Sequence, residues 1–228
     1  MKARHGNRPR THPEINRFRR HSFIAATLKV IAENGIENTT MAKIGEAANV
    51  SGALASHYFS SKEDLLIQAY QALFDTVFEE AHRAASQFRN EPVKQIKAII
   101  AAVFGRVAFT TITRGAYLRF WAASLSNPEL LKISRKSYQK DIEAIERLMQ
   151  RAAPDSKDFN ARRAALSLVS MMDGFWLDMS FAKNTLTAKL AVELCCQYVD
   201  VLLPGSAPSD DKDDARRLAH PAIGVPPT

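Results

Sequence analysis

The sequence predicts an all-α protein of about nine helices. From residue 16 to about residue 203, apolar side chains recur at the three- and four-residue spacings of helices that bury one face. Alternating runs rich in β-branched residues, which are typical of strands, are not found there. Prolines and hydroxyl side chains stand before several of the apolar patterns, where they favour the start of a helix.

The first two helices are predicted from one apolar face and a set of end signals. That face in the first helix holds Phe23, Ala26, Thr27, Val30 and Ile31. Gly35 then suits the left-handed residue that ends a helix. Thr39 and Thr40 offer N-caps for a second helix over residues 41–48, with Met41 at its start.

A short third helix and a long fourth helix follow. Ser51 is the predicted cap of the third helix, which reaches about residue 59. Two pairs with the three-residue separation of a capping box come next, Ser60 with Glu63 and Ser61 with Asp64. They predict that the fourth helix begins there, and its apolar pattern continues to about residue 88.

The remaining chain predicts five further helices and a polar tail. The helices cover about residues 92–109, 114–124, 128–152, 158–181 and 187–203. The predicted organisation is a disordered basic arm (1–15), a first helical domain (16–62), a second helical domain (63–203) and a disordered tail (204–228).

The positive charge of the chain is concentrated at its start. Residues 1–30 hold eight basic residues and one acid, Glu14, whereas the other residues hold 23 bases and 23 acids. A polyanion, either nucleic acid or an anionic lipid surface, is the partner that such a segment favours. A solvated tail without a partner is the alternative interpretation.

Several classes of protein are excluded or disfavoured. The longest apolar run, residues 98–105, has eight residues, whereas a membrane-spanning helix needs about 20. Phosphate-binding glycine loops, a Gly-x-Ser-x-Gly elbow and a His-Glu-x-x-His motif are absent. The six histidines and two adjacent cysteines, Cys195 and Cys196, show no metal-ligand spacing. We therefore expect a cytoplasmic protein with reduced thiols that is not an enzyme and holds no metal or cofactor.

The second and third helices form a candidate helix-turn-helix. Ala47 and Ala48 are the small residues expected at the helix crossing, and Asn49 tolerates the left-handed conformation of the turn. The inward positions are Val50, Ala55 and Phe59. The outward face holds small or hydrogen-bonding side chains together with one leucine: Ser51, Gly52, Leu54, Ser56, His57 and Tyr58. Such a face suits the major groove of DNA.

Residues 39–51 and 57–65 place this helix-turn-helix before an aromatic-Phe pair, a short turn and Lys62. In this pattern residues 17–66 resemble the DNA-binding domain of the TetR family of regulators. Two departures are Asn49, where the family usually has glycine, and Gly52-Ala53, where it often has Lys-Gly. The second departure implies weak or backbone-mediated base contacts at those two positions.

The resemblance implies a set of DNA-binding residues. Thr39 or Thr40 would contact phosphate, with helix capping as the alternative role. Leu54 would meet thymine methyl groups, with core packing as its alternative, and Lys62 would bind phosphate. The full set is Arg17, Arg19, Arg20, Thr39, Thr40, Ser51, Gly52, Ala53, Leu54, Ser56, His57, Tyr58 and Lys62. Contacts from the arginines would be independent of sequence and sensitive to salt.

The similarity extends to the BetI-like, choline-responsive branch of the family through residues 119–124, 128–130, 172–177 and 198–203. A quaternary ammonium is held by aromatic faces, sometimes with a carboxylate nearby. The implied ligand residues are Tyr117, Phe120, Trp121, Asp173, Phe175 and Trp176, with ordinary core aromatics as the alternative. Asp173 is costly to bury alone, so it should meet a ligand cation, an arginine such as Arg119, or a partner chain.

The resemblance further implies that residues 16–62 are a helix-turn-helix DNA-binding domain and residues 63–203 a helical ligand-binding and dimerisation domain. It places a homodimer interface on the last two helices. Its predicted interface residues are Leu166, Val169, Leu190, Leu194, Tyr198 and Val201, with each protomer's own core as the alternative. The predicted function is a transcriptional repressor on a near-palindromic double-stranded DNA operator, released by a small-molecule effector. The alternative is a basic helical protein that binds DNA without sequence preference or lies on a membrane surface.

Overall fold

The computed structural model describes residues 12–154, 158–181 and 186–203, and these residues form nine α-helices and no strand. The helices are α1 (His12–Asn34), α2 (Met41–Ala47), α3 (Gly52–Ala55), α4 (Lys62–Ser86), α5 (Pro92–Val103), α6 (Thr111–Ser124), α7 (Pro128–Ala152), α8 (Ala161–Phe181) and α9 (Ala188–Leu202). The all-α prediction is confirmed. None of these helices is both long and apolar enough to cross a membrane.

The predicted arm and tail are only partly covered by the structure. Residues 12–15, which were expected to be disordered, form the first turn of α1, so the helix begins earlier than the sequence predicted. Residues 1–11 and the predicted tail from residue 204 lie outside the described residues.

The chain divides into two compact units. The first comprises Met1–Leu73 and Thr111–Ser134, and the second comprises Phe74–Thr110 and Arg135–Thr228. Helices α4 and α7 each contribute to both units. The predicted DNA-binding domain, residues 16–62, lies wholly within the first unit.

The first unit is built on α1. The predicted apolar face is buried at all five positions, Phe23, Ala26, Thr27, Val30 and Ile31. Gly35 ends the helix with a φ of 81°, as predicted. Helix α6 packs against α1 at a glycine, since a Cβ added to Gly115 would lie 3.2 Å from the Cβ of Ala32. Helix α6 therefore belongs to the same packed unit as the helix-turn-helix.

The second unit is held together by α5, α8 and α9. The indole Nε1 of Trp176 donates to the carbonyl oxygen of Val103 (3.3 Å). The Nζ of Lys97 pairs with Oδ1 of Asp200 (2.6 Å), which ties α5 to α9. Cys195 is buried and both adjacent cysteines are free thiols. Burial raises the pKa of Cys195 to about 12, so this thiol is not a reactive nucleophile.

Helices α3 and α5 are shorter than predicted. Each ends where the backbone hydrogen bonds change from four-residue to three-residue steps. After Ala55 the amide nitrogen of His57 bonds to the carbonyl oxygen of Leu54 (3.1 Å), a three-residue step that closes the chain into a turn. Helix α5 ends at Val103 rather than near residue 109, where the amide of Gly105 bonds to the oxygen of Ala102 (3.0 Å). Periodicity alone cannot detect such a change in step.

Candidate nucleic-acid interface and effector residues

Two glycines form the crossing of α2 and α3. A Cβ added to Gly45 would lie 2.4 Å from the backbone nitrogen of Gly52, and one added to Gly52 would lie 2.7 Å from the carbonyl oxygen of Met41. The prediction that Ala47 and Ala48 occupy this crossing is wrong, since they are half-buried against the apolar core instead. A side chain at position 52 would point at α2, so only the backbone of Gly52 can face DNA.

The turn between the two helices follows the prediction. Asn49 adopts a φ of 55°, the left-handed conformation expected of it. The amide of Val50 bonds to the carbonyl oxygen of Gly45 (2.9 Å) and closes the turn. Ser51 precedes α3 but makes no side-chain capping bond, contrary to its predicted role, and its hydroxyl is exposed.

The recognition segment, residues 51–58, packs on an apolar cluster. Ile44, Ala55 and Phe59 are buried together with Phe23 of α1, which confirms the inward positions of Ala55 and Phe59. Val50 packs against the same cluster, as predicted. The ring of Phe23 lies 6.1 Å from that of Phe59, edge to face. The cluster fixes the angle at which α3 leaves α2.

Arg20 acts within the protein rather than toward a ligand. Its Nη1 donates to the backbone oxygen of Tyr58, and its Nη2 donates to Oε1 of Gln68 (2.7 Å). Its guanidinium also lies 4.7 Å from the centre of the Phe59 ring. The prediction of a phosphate contact at Arg20 is therefore replaced by a structural role, since these contacts tie α1 to the end of the recognition segment and to α4.

The two threonines that were predicted to contact phosphate lie in different environments. Thr39 is completely buried and its Oγ1 donates to the carbonyl oxygen of Gly35 (2.7 Å), so the predicted phosphate contact at Thr39 is wrong. Thr40 is exposed, and its Oγ1 accepts from the amide of Lys43 (3.3 Å) at the N-terminus of α2. Thr40 can cap the helix and still face a phosphate.

The outward face of the recognition segment is narrower than predicted. The exposed residues are Ser51, Ala53, Ser56 and His57. Leu54 and Tyr58 are half-buried and pack against the apolar cluster, and the ring of Tyr58 lies 5.6 Å from that of Phe23. Each of these two residues therefore combines packing with an accessible edge.

The turn into α4 places Lys62 at the first position of that helix. The hydroxyl of Ser61 accepts from the amide of Asp64 (3.0 Å), while Oδ2 of Asp64 accepts from the amide of Ser60 (2.9 Å). Hydrogen bonds from Gln68 and from the Ser60 backbone hold the pKa of Asp64 below its usual value. The Ser61–Asp64 capping interaction is confirmed, and it fixes the backbone that presents Lys62.

Comparison with known proteins decides what this arrangement is. The sequence model described as "Bacterial regulatory proteins, tetR family" matches residues 23–69, which hold the helix-turn-helix. A second model, described as "BetI-type transcriptional repressor, C-terminal", matches residues 92–204. The chain belongs to the TetR family.

Relatives of this TetR-family chain agree with that assignment. The HTH-type transcriptional regulator BetI of Burkholderia cenocepacia is 29% identical over 189 residues, which are 83% of this chain and 96% of the relative. A solved structure from Pseudomonas aeruginosa PAO1 is 27% identical, with a TM-score of 0.75 over 86% of this chain and 94% of that one. The chain is thus a DNA-binding transcriptional regulator, not an enzyme.

A further solved structure shares the fold and was determined with a ligand. It comes from Saccharomonospora viridis in complex with choline, is 16% identical and covers 81% of this chain and 96% of that one. Its TM-score is 0.71, which shows the TetR-type fold alone.

The predicted effector residues of the first unit differ in accessibility. Phe120 is completely buried, and its ring stacks on Tyr70 at 4.5 Å, so its role is core packing rather than ligand contact. Tyr117 and Trp121 lie one turn apart on α6 with ring centres separated by 5.9 Å, and Trp121 is 38% exposed. This ring pair presents an accessible aromatic face.

Of the predicted effector residues in the second unit, one aromatic residue packs in the core and another lines an open hollow. Trp176 is buried, and its ring lies edge to face with Phe109 at 5.1 Å, so it too belongs to the core. Phe175 lines an open hollow of about 550 Å³. The other residues of that hollow are Met171, Gly174, Asp178 and Leu186.

Asp173 lies on a largely apolar helix, as the sequence predicted, and is half-buried, and the structure adds a second half-buried carboxylate, Asp141. Burial, followed by the nearby charge of Asp141, raises the pKa of Asp173 to about 7. Burial likewise raises the pKa of Asp141 to about 6, against the opposing effect of Lys140. Arg119, which was one suggested partner of Asp173, donates from Nη1 to the carbonyl oxygen of Gly115 in its own helix (3.1 Å).

Sequence reasoning missed Asp141, although a signal for it exists. Asp141 lies four residues after Ser137 and four before Ile145, and both of these residues are buried. A carboxylate on a buried stripe of α7 is costly unless something compensates it. No group of three or more histidine, cysteine or acidic side chains in the described ranges is arranged to hold a metal ion.

The predicted dimer residues are exposed with two exceptions. Leu190, Leu194 and Val201 form a stripe along α9, and Leu166 is exposed on α8. Val169 is 4% exposed and belongs to the protomer's own core, so its predicted interface role is wrong.

Tyr198 is half-buried and its hydroxyl donates to the carbonyl oxygen of Ala164 (3.4 Å). Phe181, at the end of α8, is a large exposed apolar residue that the sequence prediction omitted.

Proposed function

We propose that this TetR-family regulator represses transcription as a homodimer on a near-palindromic operator and is released by a cationic small molecule. The short recognition helix is the observation that supports the dimer most directly. Helix α3 has four residues, which span about 6 Å and therefore cover about two base pairs. One such helix carries little sequence information, whereas two copies related by symmetry would read an inverted repeat.

The exposed apolar stripe on α9 supports a dimer interface. Leu190, Leu194 and Val201 share one face of the helix, and Val201 is 79% exposed. Exposed apolar side chains grouped on one helix face favour an interaction site. A second copy of α8 and α9 would cover it as a four-helix contact.

The exposed residues of the helix-turn-helix define the proposed operator contacts. Ser51, Ala53, Ser56 and His57 would face base edges and sugar-phosphate, with Leu54 and Tyr58 adding their accessible edges. Thr40 and Lys62 stand at the starts of α2 and α4, where helix N-termini favour phosphate.

A quaternary ammonium compound such as choline is the effector class that we propose. The match of residues 92–204 to the BetI-type model and the choline complex of a protein with the same fold support this choice. Asp173 would supply the counter-charge, since a bound cation offsets the cost of ionising a half-buried carboxylate. Phe175, in the same unit as Asp173, is the candidate for the aromatic contact, and the Tyr117–Trp121 ring pair of the first unit is a separate candidate surface.

Coupling between effector and operator would run through the first unit. The Tyr117–Trp121 ring pair lies on α6, which packs on α1 within the unit that holds the helix-turn-helix. An effector that binds one arrangement of α6 more tightly would shift the population of DNA-binding forms. Because such a regulator acts on the chromosome, we place it in the cytoplasm.

A titration with choline tests the effector proposal. We expect a saturable change in tryptophan fluorescence, release of operator DNA, and an affinity at least about tenfold weaker in Asp173→Asn. A cation favours the ionised carboxylate, so the affinity should rise with pH until it levels above the Asp173 pKa of about 7. Asp158→Asn, which changes an exposed carboxyl in the same unit, is the control.

The opposite outcome would be a flat calorimetric and fluorescence response to choline. That result would contradict a quaternary ammonium effector while leaving the family assignment intact. An unchanged choline affinity in Asp173→Asn would instead remove Asp173 from the effector site.

A further inference from the structure

An ammonium group of the protein itself lies on an aromatic ring of the second unit. The Nζ of Lys140, on α7, is 3.5 Å from the centre of the Phe78 ring, on α4. Both residues belong to the second unit, as do Asp141 and Asp173. A cation over the face of a phenylalanine is attracted by the negative potential of that face. The contact therefore shows that this ring is open to a cation.

The surroundings of this ammonium are acidic. Burial raises the pKa of Asp141 to about 6, and the charge of Lys140 opposes that rise, which places the ammonium near this carboxyl. Burial and then the charge of Asp141 raise the pKa of Asp173 to about 7, so the two carboxyls are also close to each other. Among the described residues neither carboxyl takes part in a hydrogen bond or ion pair. Two half-buried carboxyls and an aromatic ring thus surround a single ammonium.

Lys140 is weakly held in this position. It is exposed, and within the described ranges its ammonium forms no ion pair or hydrogen bond besides the ring contact. A primary ammonium is compact and strongly hydrated, so it loses little when it returns to water. A quaternary ammonium has no N–H groups to hydrate and is the kind of cation that aromatic faces bind well. Such a cation would compete successfully with the lysine for the ring.

We propose that the Phe78 ring and the carboxyls of Asp141 and Asp173 form a quaternary ammonium site that contains its own competitor. An effector would displace the Lys140 ammonium from the ring and take its place beside the carboxylates. The lysine would thereby set the effector concentration at which the regulator leaves its operator. This site rests on the proposed function and adds to it a further aromatic contact and a residue that tunes the response.

Calorimetric titration of the full chain with choline tests the competition. Lys140→Gln replaces the ammonium by a neutral group on a long side chain, so choline should bind at least about threefold more tightly. Operator DNA should then be released at a correspondingly lower choline concentration. Lys140→Arg keeps a cation that stacks on aromatic faces and should keep the wild-type affinity. Equal choline affinities in Lys140→Gln and the wild type would overturn the proposal, as would an equal gain in both variants.

Lys136→Gln separates competition from a general effect of charge. Lys136 is exposed on α7 one turn before Lys140, so this variant removes the same charge about 6 Å along the helix and away from the ring contact. Its choline affinity should equal that of the wild type. An equal gain in both glutamine variants would assign the effect to the net charge of α7 and overturn the proposal.

The role of the ring is measured in the Lys140→Gln background. Phe78→Leu keeps a large apolar side chain but removes the aromatic face, so choline should bind about fivefold more weakly than to Lys140→Gln alone. Thermal unfolding checks the fold of the double variant, since Phe78 is half-buried. A double variant that melts and binds choline like its parent would remove the ring from the site and overturn the proposal.

Nuclear magnetic resonance follows the lysine directly. In protein with isotope-labelled lysine, the ε-methylene protons of Lys140, assigned from their absence in Lys140→Arg, should be shifted upfield by the Phe78 ring. Saturating choline should return them to the position of an exposed lysine. Choline binding that leaves this signal unmoved would contradict displacement of the lysine.

Failure of the proposed function gives a different pattern. If neither the wild type nor Lys140→Gln binds choline or tetramethylammonium, the quaternary ammonium effector is contradicted, and the site with it. Choline that releases the operator equally well from both proteins would leave the proposed function standing and overturn the site alone. Binding by Lys140→Gln but not by the wild type would support the competition.

Discussion

Gly45→Ala is expected to abolish operator binding. The new Cβ would lie 2.4 Å from the backbone nitrogen of Gly52, 2.6 Å from its Cα and 2.8 Å from the carbonyl carbon of Ser51. All three neighbours are backbone atoms, so no side-chain rotation can relieve the overlap. The recognition helix must move away from α2, and we expect a loss of about 3 kcal/mol in the free energy of unfolding of the first unit.

Thermal unfolding and fluorescence anisotropy with operator DNA measure this effect. Glu46→Ala is the matched control, since Glu46 is the next residue of α2 and is exposed. The control should retain the wild-type melting temperature. If Gly45→Ala instead melted and bound DNA like the wild type, the close crossing of α2 and α3 would be contradicted.

Leu194→Glu is expected to dissociate the dimer and, with it, to remove high-affinity operator binding. Leu194 stands between Leu190 and Val201 on the exposed apolar stripe of α9. A symmetric interface would bury the new carboxylate twice, and an unpaired buried charge costs several kcal/mol. Each protomer would then bind its half-site separately and lose the gain in effective concentration that joins the two half-sites.

Sedimentation of the variant, followed by an operator titration, provides the readout. Lys189→Glu also introduces a carboxylate on α9, but about 100° from the stripe, where the side chain is already 86% exposed, and should stay dimeric. A dimeric Leu194→Glu protein with wild-type operator affinity would show that another surface joins the two copies.

Features set by local backbone chemistry were predictable from the sequence. The left-handed Asn49, the glycine that ends α1 and the Ser61–Asp64 capping bond all depend on residues within a few positions of one another. The buried stripe of α1 was predictable for the same reason, because it follows from spacing alone.

Features that depend on distant segments were not predictable in this way. Arg20 bonds to the backbone of a residue 38 positions away, so its sequence context indicated only a positive charge. The burial of Thr39 and Val169 depends on how neighbouring helices pack. Likewise, the Gly45–Gly52 approach arises from the crossing of two helices, whereas small alanines elsewhere in the motif looked equally suitable.

Selection of bound duplexes from a random pool tests the central claim most directly. Two short recognition helices presented by a symmetric dimer should enrich an inverted repeat whose half-site centres lie about one helical turn, roughly 34–36 Å, apart. Base preferences should be confined to a few positions in each half-site, in line with the four residues of α3. Recovery of sequences with no shared repeat would contradict a dimeric, operator-specific regulator.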